Sequence, residues 1–365
     1  MRPKVSVIIL NYNGLRNLGH RGLLTNLSSV LKNDYDNFEV IFVDNGSKDN
    51  SVELIRQNFC QETRIKVVEN GKNYGFAQGN NLAFRYASGD YIIFLNNDIE
   101  VEPNYIDELV KVMEIDQTIG LAQSKIFYPD RFRIQTFGNL LDPTLHAYLI
   151  GLDQEDRGQF NEVCEITYPC GASFIARREL IKQIGLFDSN YFFYHDDTDL
   201  GWRTRLAGRK VVSVPFSIAY HNGELTSNRT FTEKQKMFFL LTCQIGLLIK
   251  NVESKNLLPQ GGIMLLSLTL DLIDLLYQGN VETPVALIWW FIKNFKYNWK
   301  QRQFIQKRIR KVNDKQVFKA FLDQSIFAYR MKQYVTRDKK RYFRDLKTLV
   351  SNITYKYYQN HIYVP

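Results

Sequence analysis

Two patterns alternate through the first part of the chain. Short runs dominated by apolar residues (Val5–Leu10, Phe38–Val43, Ile65–Glu69 and Tyr91–Leu95) are separated by longer stretches with apolar positions at helical spacing. A strand buried on both faces reads as nearly continuous apolar sequence, so these runs predict a covered, parallel sheet. The intervening stretches predict helices over Leu15–Leu31, over Val52–Phe59 and from about Gln78 onward. A β-α-β-α-β order of this kind carries right-handed crossovers. Further on, Pro103–Ile115 reads as a helix, Gly120–Phe127 as a strand, and residues 128–168 as short extended runs and turns. Ser173–Ala176 and Lys210–Val214 are strands, with a helix over Arg177–Ile184 and an amphipathic one built on Leu200, Trp202 and Leu206. After residue 230 the character changes to helical and apolar, over Met237–Ile249, Ile263–Leu276 and Val285–Phe295. Asp271 and Asp274 interrupt the second of these, and no run has the ~18 residues of a membrane-spanning helix. Two units are expected: an α/β domain over residues 1–230 and a helical extension over 231–365.

Composition narrows the function classes. At 365 residues the chain can bury one large α/β domain and an appendage. The balance of 47 basic against 38 acidic side chains suits an anionic substrate, nucleic acid or an anionic membrane. Cys60, Cys164, Cys170 and Cys243 show no CxxC spacing, which excludes a zinc knuckle and a thioredoxin-type motif and favours a reducing compartment. The N-terminal apolar run is too short for a signal peptide and enters a strand directly. No GxGxxG follows the first strand and no GxxxxGK[ST] occurs, so dinucleotide and P-loop chemistry are not expected. Between Lys293 and Val312 there are eight Lys or Arg and no acid, close to Trp289, Trp290, Phe291, Phe295, Tyr297 and Trp299. That mixture reads as an interfacial patch for anionic lipid, or else as a solvated basic helix face. It comes with no recognised nucleic-acid module, so no nucleic-acid partner is expected.

Candidate chemistry gathers where the strands end. In an open α/β sheet, ligands bind beyond the carboxyl ends of the strands. Asn11, Asp44 and the Asn96-Asn97-Asp98 run stand at three such ends. Asp44 suits a nucleotide ribose or base, or the ordering of its own turn. Ahead of the third helix lies a cluster of glycines and amides that includes Asn73, Gly75, Gly79, Asn80 and Asn81, where the backbone can approach a ligand and amides can donate or accept. Later, Asp196, Asp197 and Asp199 follow an aromatic run and open a helix. They serve either as caps complementing the helix dipole or as a carboxylate kept ionised for general-base work. His20 and His146 are read as structural or surface histidines.

Five segments resemble the family 2 glycosyltransferases, in their order and spacing: VSVIILNYNG, VDNGSKDNS, NYGFAQGNN, FLNNDIEVEP and GASFIARRELIKQIGLFDSNYFFYHDDTDLGWRTRLAG. The likeness covers roughly residues 4 to 225 and is strongest to the rhamnosyltransferase-like branch. It implies a GT-A fold with a mainly parallel, Rossmann-like nucleotide-sugar-binding sheet, and inverting transfer from a nucleoside diphosphate sugar such as dTDP-rhamnose or a UDP-sugar. The acceptor implied is a saccharide or lipid-linked saccharide at the cytoplasmic face of the membrane. The donor-binding set implied is Asn11, Asp44, Asn73, Gly75, Asn80, Asn97, Asp98 and Gly171. The family's DxD motif reads Asn96-Asn97-Asp98 here, one acid short, which leaves Asp98 and His221 as the expected ligands of Mg²⁺ or Mn²⁺. Such an ion stabilises charge on the departing diphosphate. The family's Glu-Asp-x-Asp pattern maps its base to Asp197, with Asp196 in the glutamate position and Asp199 orienting the loop or meeting the acceptor. Two other readings remain open: a nucleotidyltransferase-like enzyme, and an inactive domain that binds sugar nucleotide or glycan.

Overall fold

A computed structural model describes residues 2–191, 194–223, 231–277, 279–322 and 339–363. In it the predicted strands form β1 (Val5–Asn11), β2 (Phe38–Asp44), β3 (Ile65–Glu69) and β4 (Tyr91–Asn96). They pair in parallel in the order β3-β2-β1-β4, with Asn11 opposite Asp44 and Leu10 opposite Asn96. The three polar strand ends therefore fall in step along one edge. Both faces of β1, β2 and β4 are covered, while β3 at the sheet edge is only half-buried. Val5, Val7 and Ile9 pack with Leu23 and Leu27 of α1 (Gly14–Leu31), while Ile8 faces a second core cluster with Ala77 and Ala83 of α3 (Gly75–Ala83). Double coverage is why the runs show no polar alternation. Helix α2 (Ser51–Asn58) joins β2 to β3.

The rest of the sheet is mixed: some of its strands keep the direction of the first four and others reverse it. The remaining strands are β5 (Ile99–Val101), β6 (Ile119–Phe127), β7 (Ile134–Thr136), β8 (Gly138–Leu141), β9 (Ala147–Ile150), β10 (Cys164–Glu165), β11 (Ser173–Arg177) and β12 (Lys210–His221). Strand β11 lies antiparallel between β4 and β6, and β5 and β10 are antiparallel to β12. The sheet is mixed because the chain enters β11 beside the carboxyl end of β4, where Asn96 N–H donates to the Ala172 carbonyl at 2.9 Å, and so must run back along it. Strand β12 passes the expected end at Val214 and continues to His221, with a register irregularity between Val214 and Ile218. Pro215, which has no N–H, sits in that irregularity. Helices α4 (Tyr105–Ile115), α5 (Arg178–Ile184) and α6 (Asp196–Leu206) complete this part.

The tail contributes α7 (Glu233–Asn251), α8 (Leu257–Tyr277), α9 (Glu282–Phe304), α10 (Asp314–Val317) and α11 (Lys339–Asn360). The boundary expected at 230 and the part of the tail over 323–338 fall outside the described residues. These helices share a core with the sheet. Leu241, Leu247, Phe321 and Tyr358 belong to the cluster that holds Phe137, Phe160 and Trp202, and the Trp202 and Phe321 rings meet edge-on at 5.2 Å. The apolar helix is longer than the sequence pattern indicated. With the turn before it, Ser254–Tyr277 is 24 residues long, 29% of its most apolar window is buried, and by length and composition it can cross a membrane. Nearly all of the added length lies before Ile263, where Leu257–Gly262 are helical with Pro259 in the first turn, a place where its missing N–H costs little; Asp271 and Asp274 lie within the helix and do not break it. The basic stretch divides. Arg302 is buried and donates to the carbonyls of Ile249 and Val252, and Arg310 pairs with Asp314, while Lys293, Lys296, Lys300, Lys307, Arg308 and Lys311 are exposed.

Candidate active site

At the edge formed by β1, β2 and β4 the side chains bind one another. Asn11 is fully buried; its Nδ2 donates to Asp44 Oδ1 at 3.0 Å, and its Oδ1 accepts from Asn97 Nδ2 at 2.7 Å. Asp44 Oδ2 accepts from the backbone N–H groups of Gly46 and Ser47, and Ser47 Oγ donates to Oδ1 at 2.5 Å. The carboxylate thus orders its own turn, and Asn11 and Asn97 lock the strand tips together. Beside them the buried Asn45 donates to Asn73 Oδ1 at 3.0 Å and to the Gly75 carbonyl at 3.1 Å. Asn73 in turn accepts from Gly75 N–H, and Asn80 donates to the Phe76 carbonyl. The amide cluster therefore shapes the loop that opens α3 one residue after Tyr74, three residues earlier than the expected start near Gln78.

The β5–β12 pairing places Ile99 opposite His221 and so brings Asp98 beside the histidine. Asp98 Oδ1 lies 3.2 Å from His221 Nε2, both residues are buried, and among the described residues this oxygen has no hydrogen-bond partner. His221 Nδ1 is 2.7 Å from Gln135 Oε1, an acceptor, so Nδ1 carries the ring proton. In the neutral ring Nε2 then turns a lone pair toward the carboxylate. Burial works to raise the Asp98 carboxyl, but His221, when its ring is protonated at both nitrogens, outweighs burial with its charge and an Nε2–H bond and holds the group below the usual range; only the neutral ring presents the lone pair. Two electron-pair donors, oxygen and imidazole nitrogen, converging on one buried point fit a hard divalent cation that takes its other ligands from phosphate and water. Among the described residues no group of three or more His, Cys, Asp or Glu gathers to hold a metal.

The acid loop reaches the same edge from the other side. Asp197 Oδ2 accepts from Gly171 N–H at 2.8 Å, and its Oδ1 from Thr198 N–H at 2.7 Å. Gly171 sits two residues before Ser173, which pairs with Leu95, so this carboxylate stands next to the Asn96–Asp98 segment. A Cβ on Gly171 would lie 3.2 Å from Asp197 Oδ2, so a side chain there would press on the carboxylate. Burial pushes both Asp196 and Asp197 up, and the neighbouring Asp197 charge pushes Asp196 further. The two N–H bonds favour charge on Asp197, so Asp196 keeps the proton and Asp197 the negative charge. Among the described residues, Asp196 Oδ2 and His195 Nε2 are buried without partners. Asp199 accepts from Arg203 Nε at 2.7 Å and Lys250 Nζ at 2.9 Å, so it orients the loop. Preceding the helix, Tyr194 and His195 have φ of 65° and 58°. Each such left-handed residue costs roughly 1–3 kcal/mol and persists only where its surroundings over-determine it.

The structure therefore brings Asn11, Asp44, Asn97, Asp98, Gly171, Asp197 and His221 to one sheet edge, with Asn73, Gly75 and Asn80 in the adjoining loop and Asp196 just behind. Sequence reasoning missed Asn45, Gln135 and Lys250. Asn45 had a signal, since a buried amide follows Asp44 directly. Gln135 had none, lying in a stretch read only as short extended runs and turns.

Residues 6–185 match the family model described as Glycosyl transferase family 2. Uncharacterized protein y4gI of Sinorhizobium fredii is 27% identical over 250 residues, which are 65% of this chain but only 26% of that protein. Rhamnosyltransferase WbbL of Escherichia coli K12 is 25% identical over 229 residues, 59% of this chain and 84% of the relative. The solved mannosyltransferase PcManGT from Pyrobaculum calidifontis, in complex with GDP-Man and Mn²⁺, shares the fold with a TM-score of 0.51 at 16% identity, over 84% of this chain and 86% of that one. The sugars in these names differ, so no single branch is marked out. The matched motifs, the mixed sheet and the shared fold together support a family 2 glycosyltransferase domain with a GT-A-like fold, centred on residues 6–185.

Proposed function

We propose that the protein transfers a sugar, with inversion, from a nucleoside diphosphate sugar to a hydroxyl of a saccharide or lipid-linked saccharide. The observation that carries this reading is the Asp197 carboxylate, held ionised on Gly171 N–H at the same edge as Asp98 and His221. Asp197 takes the proton of the acceptor hydroxyl as that oxygen attacks the anomeric carbon from the face opposite the diphosphate. The new C–O bond forms while the bond to the phosphate oxygen breaks, and its electron pair leaves with the nucleoside diphosphate. Asp98 and His221 would hold Mg²⁺ or Mn²⁺, which when bound neutralises charge on the departing diphosphate. Asn11 and Asn97 keep the strand tips rigid, and the Asn73–Asn80 loop lines the nucleotide side with amides and backbone. The likeness to WbbL supports a donor such as dTDP-rhamnose, with a UDP-sugar as the other candidate.

The tail supports work at the cytoplasmic face of a membrane. On α9, Val285, Ile288, Trp289, Ile292, Phe295 and Trp299 are exposed at helical spacing, with Lys293, Lys296 and Lys300 also exposed. Apolar and aromatic side chains with flanking lysines suit the surface of an anionic bilayer.

A panel of nucleotide sugars tests the transfer, with wild type and Asp197→Asn compared. Transfer from at least one donor, reduced by ~10²-fold or more in the variant, is expected. Full transfer by the variant would sink the assignment of the base. Binding of a sugar nucleotide without transfer would instead mark an inactive binding domain, and pyrophosphate release would mark a nucleotidyltransferase.

A further inference from the structure

We propose that Lys250, a tail residue on α7, is a positioning residue for the acid loop, an inference that rests on Asp197 being the base. Its ammonium is almost fully buried and lies 2.6 Å from Asp188 Oδ2 and 2.9 Å from Asp199 Oδ1. It also stands 4.3 Å from the centre of the Tyr191 ring. One cation therefore clamps the two ends of the segment from Asp188 to Asp199, and Asp197 lies inside that span. The clamp is reinforced from the tail on one side and from α6 on the other. Tyr297 on α9 donates to Asp188 Oδ1 at 2.6 Å, and Arg203 closes on Asp199 Oδ2.

The loop requires such a clamp because Tyr194 and His195 are both left-handed. Helix α7 grips that point too, with Cys243 Sγ 3.4 Å from the Tyr194 carbonyl. A backbone in this conformation relaxes when its restraints are removed. There is room for it to do so, because a cavity of about 190 Å³ borders Phe187, Asp188, Asp199, Arg203, Lys250 and Tyr297. Removing the ammonium leaves Asp188 and Asp199 facing each other as like charges. Their separation would turn the start of α6 and draw the Asp197 carboxylate off Gly171 N–H. Neither Lys250 nor Tyr297 is placed at the donor edge, so binding of the nucleotide should be spared.

The test compares Lys250→Met, Lys250→Arg and Tyr297→Phe in the full chain. Lys250→Met is expected to lower kcat for transfer about tenfold or more, with donor KM within about twofold, because a small misplacement of a reacting group costs rate far more than affinity. Lys250→Arg should restore most of the loss. Amide hydrogen exchange should quicken in Lys250→Met over residues 170–173 and 194–200 and stay unchanged in β1 and β2. Wild-type kcat together with wild-type exchange in Lys250→Met would overturn the proposal. Should that variant not fold, Tyr297→Phe decides: a fall in kcat with donor KM unchanged supports the clamp, and unchanged kcat overturns it. If wild type transfers no sugar, the proposed reaction fails, and the exchange measurement still decides whether Lys250 holds the loop.

Discussion

Replacing Gly171 with alanine probes the join between the acid loop and the sheet edge. A Cβ at this position lies 3.2 Å from Asp197 Oδ2, 3.6 Å from Asp197 Cβ and 3.6 Å from Phe76 Cζ. No contact forces the backbone apart, and Gly171 is not among the residues with positive φ, so the fold should tolerate the methyl group. The carboxylate oxygen must retreat by a few tenths of an ångström, stretching its 2.8 Å bond from Gly171 N–H. A hydrogen bond to a charged group contributes about 1.5–3 kcal/mol, and losing about half of it is roughly a tenfold effect. Displacing the base adds to this, since about 1 Å of misplacement costs on the order of 10²-fold. We expect kcat to fall about 10- to 50-fold. The sign of the pH effect follows from the same bond. Gly171 N–H favours ionised over protonated Asp197, so weakening it raises the carboxyl further, and the acid limb of the kcat profile moves to higher pH. Steady-state kinetics from acid to alkaline pH, with donor and acceptor varied separately, read all of this. A raised donor KM with unchanged kcat and an unmoved acid limb would refute the reasoning, because Gly171 would then merely leave room for the sugar.

Three other outcomes are open to direct measurement. Asp98→Asn should weaken Mn²⁺ binding in the presence of nucleoside diphosphate about tenfold or more, read by calorimetry, because it removes the one anionic member of the proposed ligand pair. Asp196→Asn should raise the melting temperature at pH 9 and change it little at pH 5. The folded-state carboxyl is raised by burial and by Asp197, so its stabilising share is present below the unfolded pKa and is lost as pH rises through the folded one, a loss that asparagine does not suffer. Paired substitution of Trp289 and Ile292 by serine should reduce sedimentation with anionic vesicles severalfold while leaving the fold intact, since both side chains are more than 60% exposed.

Much of the sheet was readable because β1, β2 and β4 are buried on both faces, so nearly continuous apolar runs mark them. Strand direction was not readable for the same reason. Ser173–Arg177 between β4 and β6 presents the same buried pattern whether it runs parallel or antiparallel, and only the Asn96–Ala172 contact decides. Strand β5 was too short to show any period, and Pro215 looked like a strand end although a register irregularity accommodates it. In the tail, the apolar run from Ile263 to Leu276 understated α8 at its start, because Pro259, Gly261 and Gly262 do not read as helix, while the half-buried Asp271 inside the run has a partner and does not break it. His146 Nε2 lies 3.4 Å from Asp271 Oδ2.

The site divides along similar lines. Residues whose role depends on their place at a strand end, such as Asp44 and Asp98, were visible in the sequence because an acid directly after a buried run is conspicuous. Residues that act by reaching across the fold were not. Lys250, in the last turn of a helix, reads as an ordinary partner for the helix dipole, yet it neutralises two acids distant in sequence. Gln135 gives no local sign that it orients His221. The missing acid at Asn96 follows the same logic. Its backbone N–H is committed to Ala172 across the sheet, and the second donor at the proposed cation site arrives as His221 through the β5–β12 register. One carboxylate and one neutral imidazole leave a divalent ion with net positive charge. A site built this way should depend on the diphosphate of the donor to complete its shell, so metal and donor binding should reinforce each other.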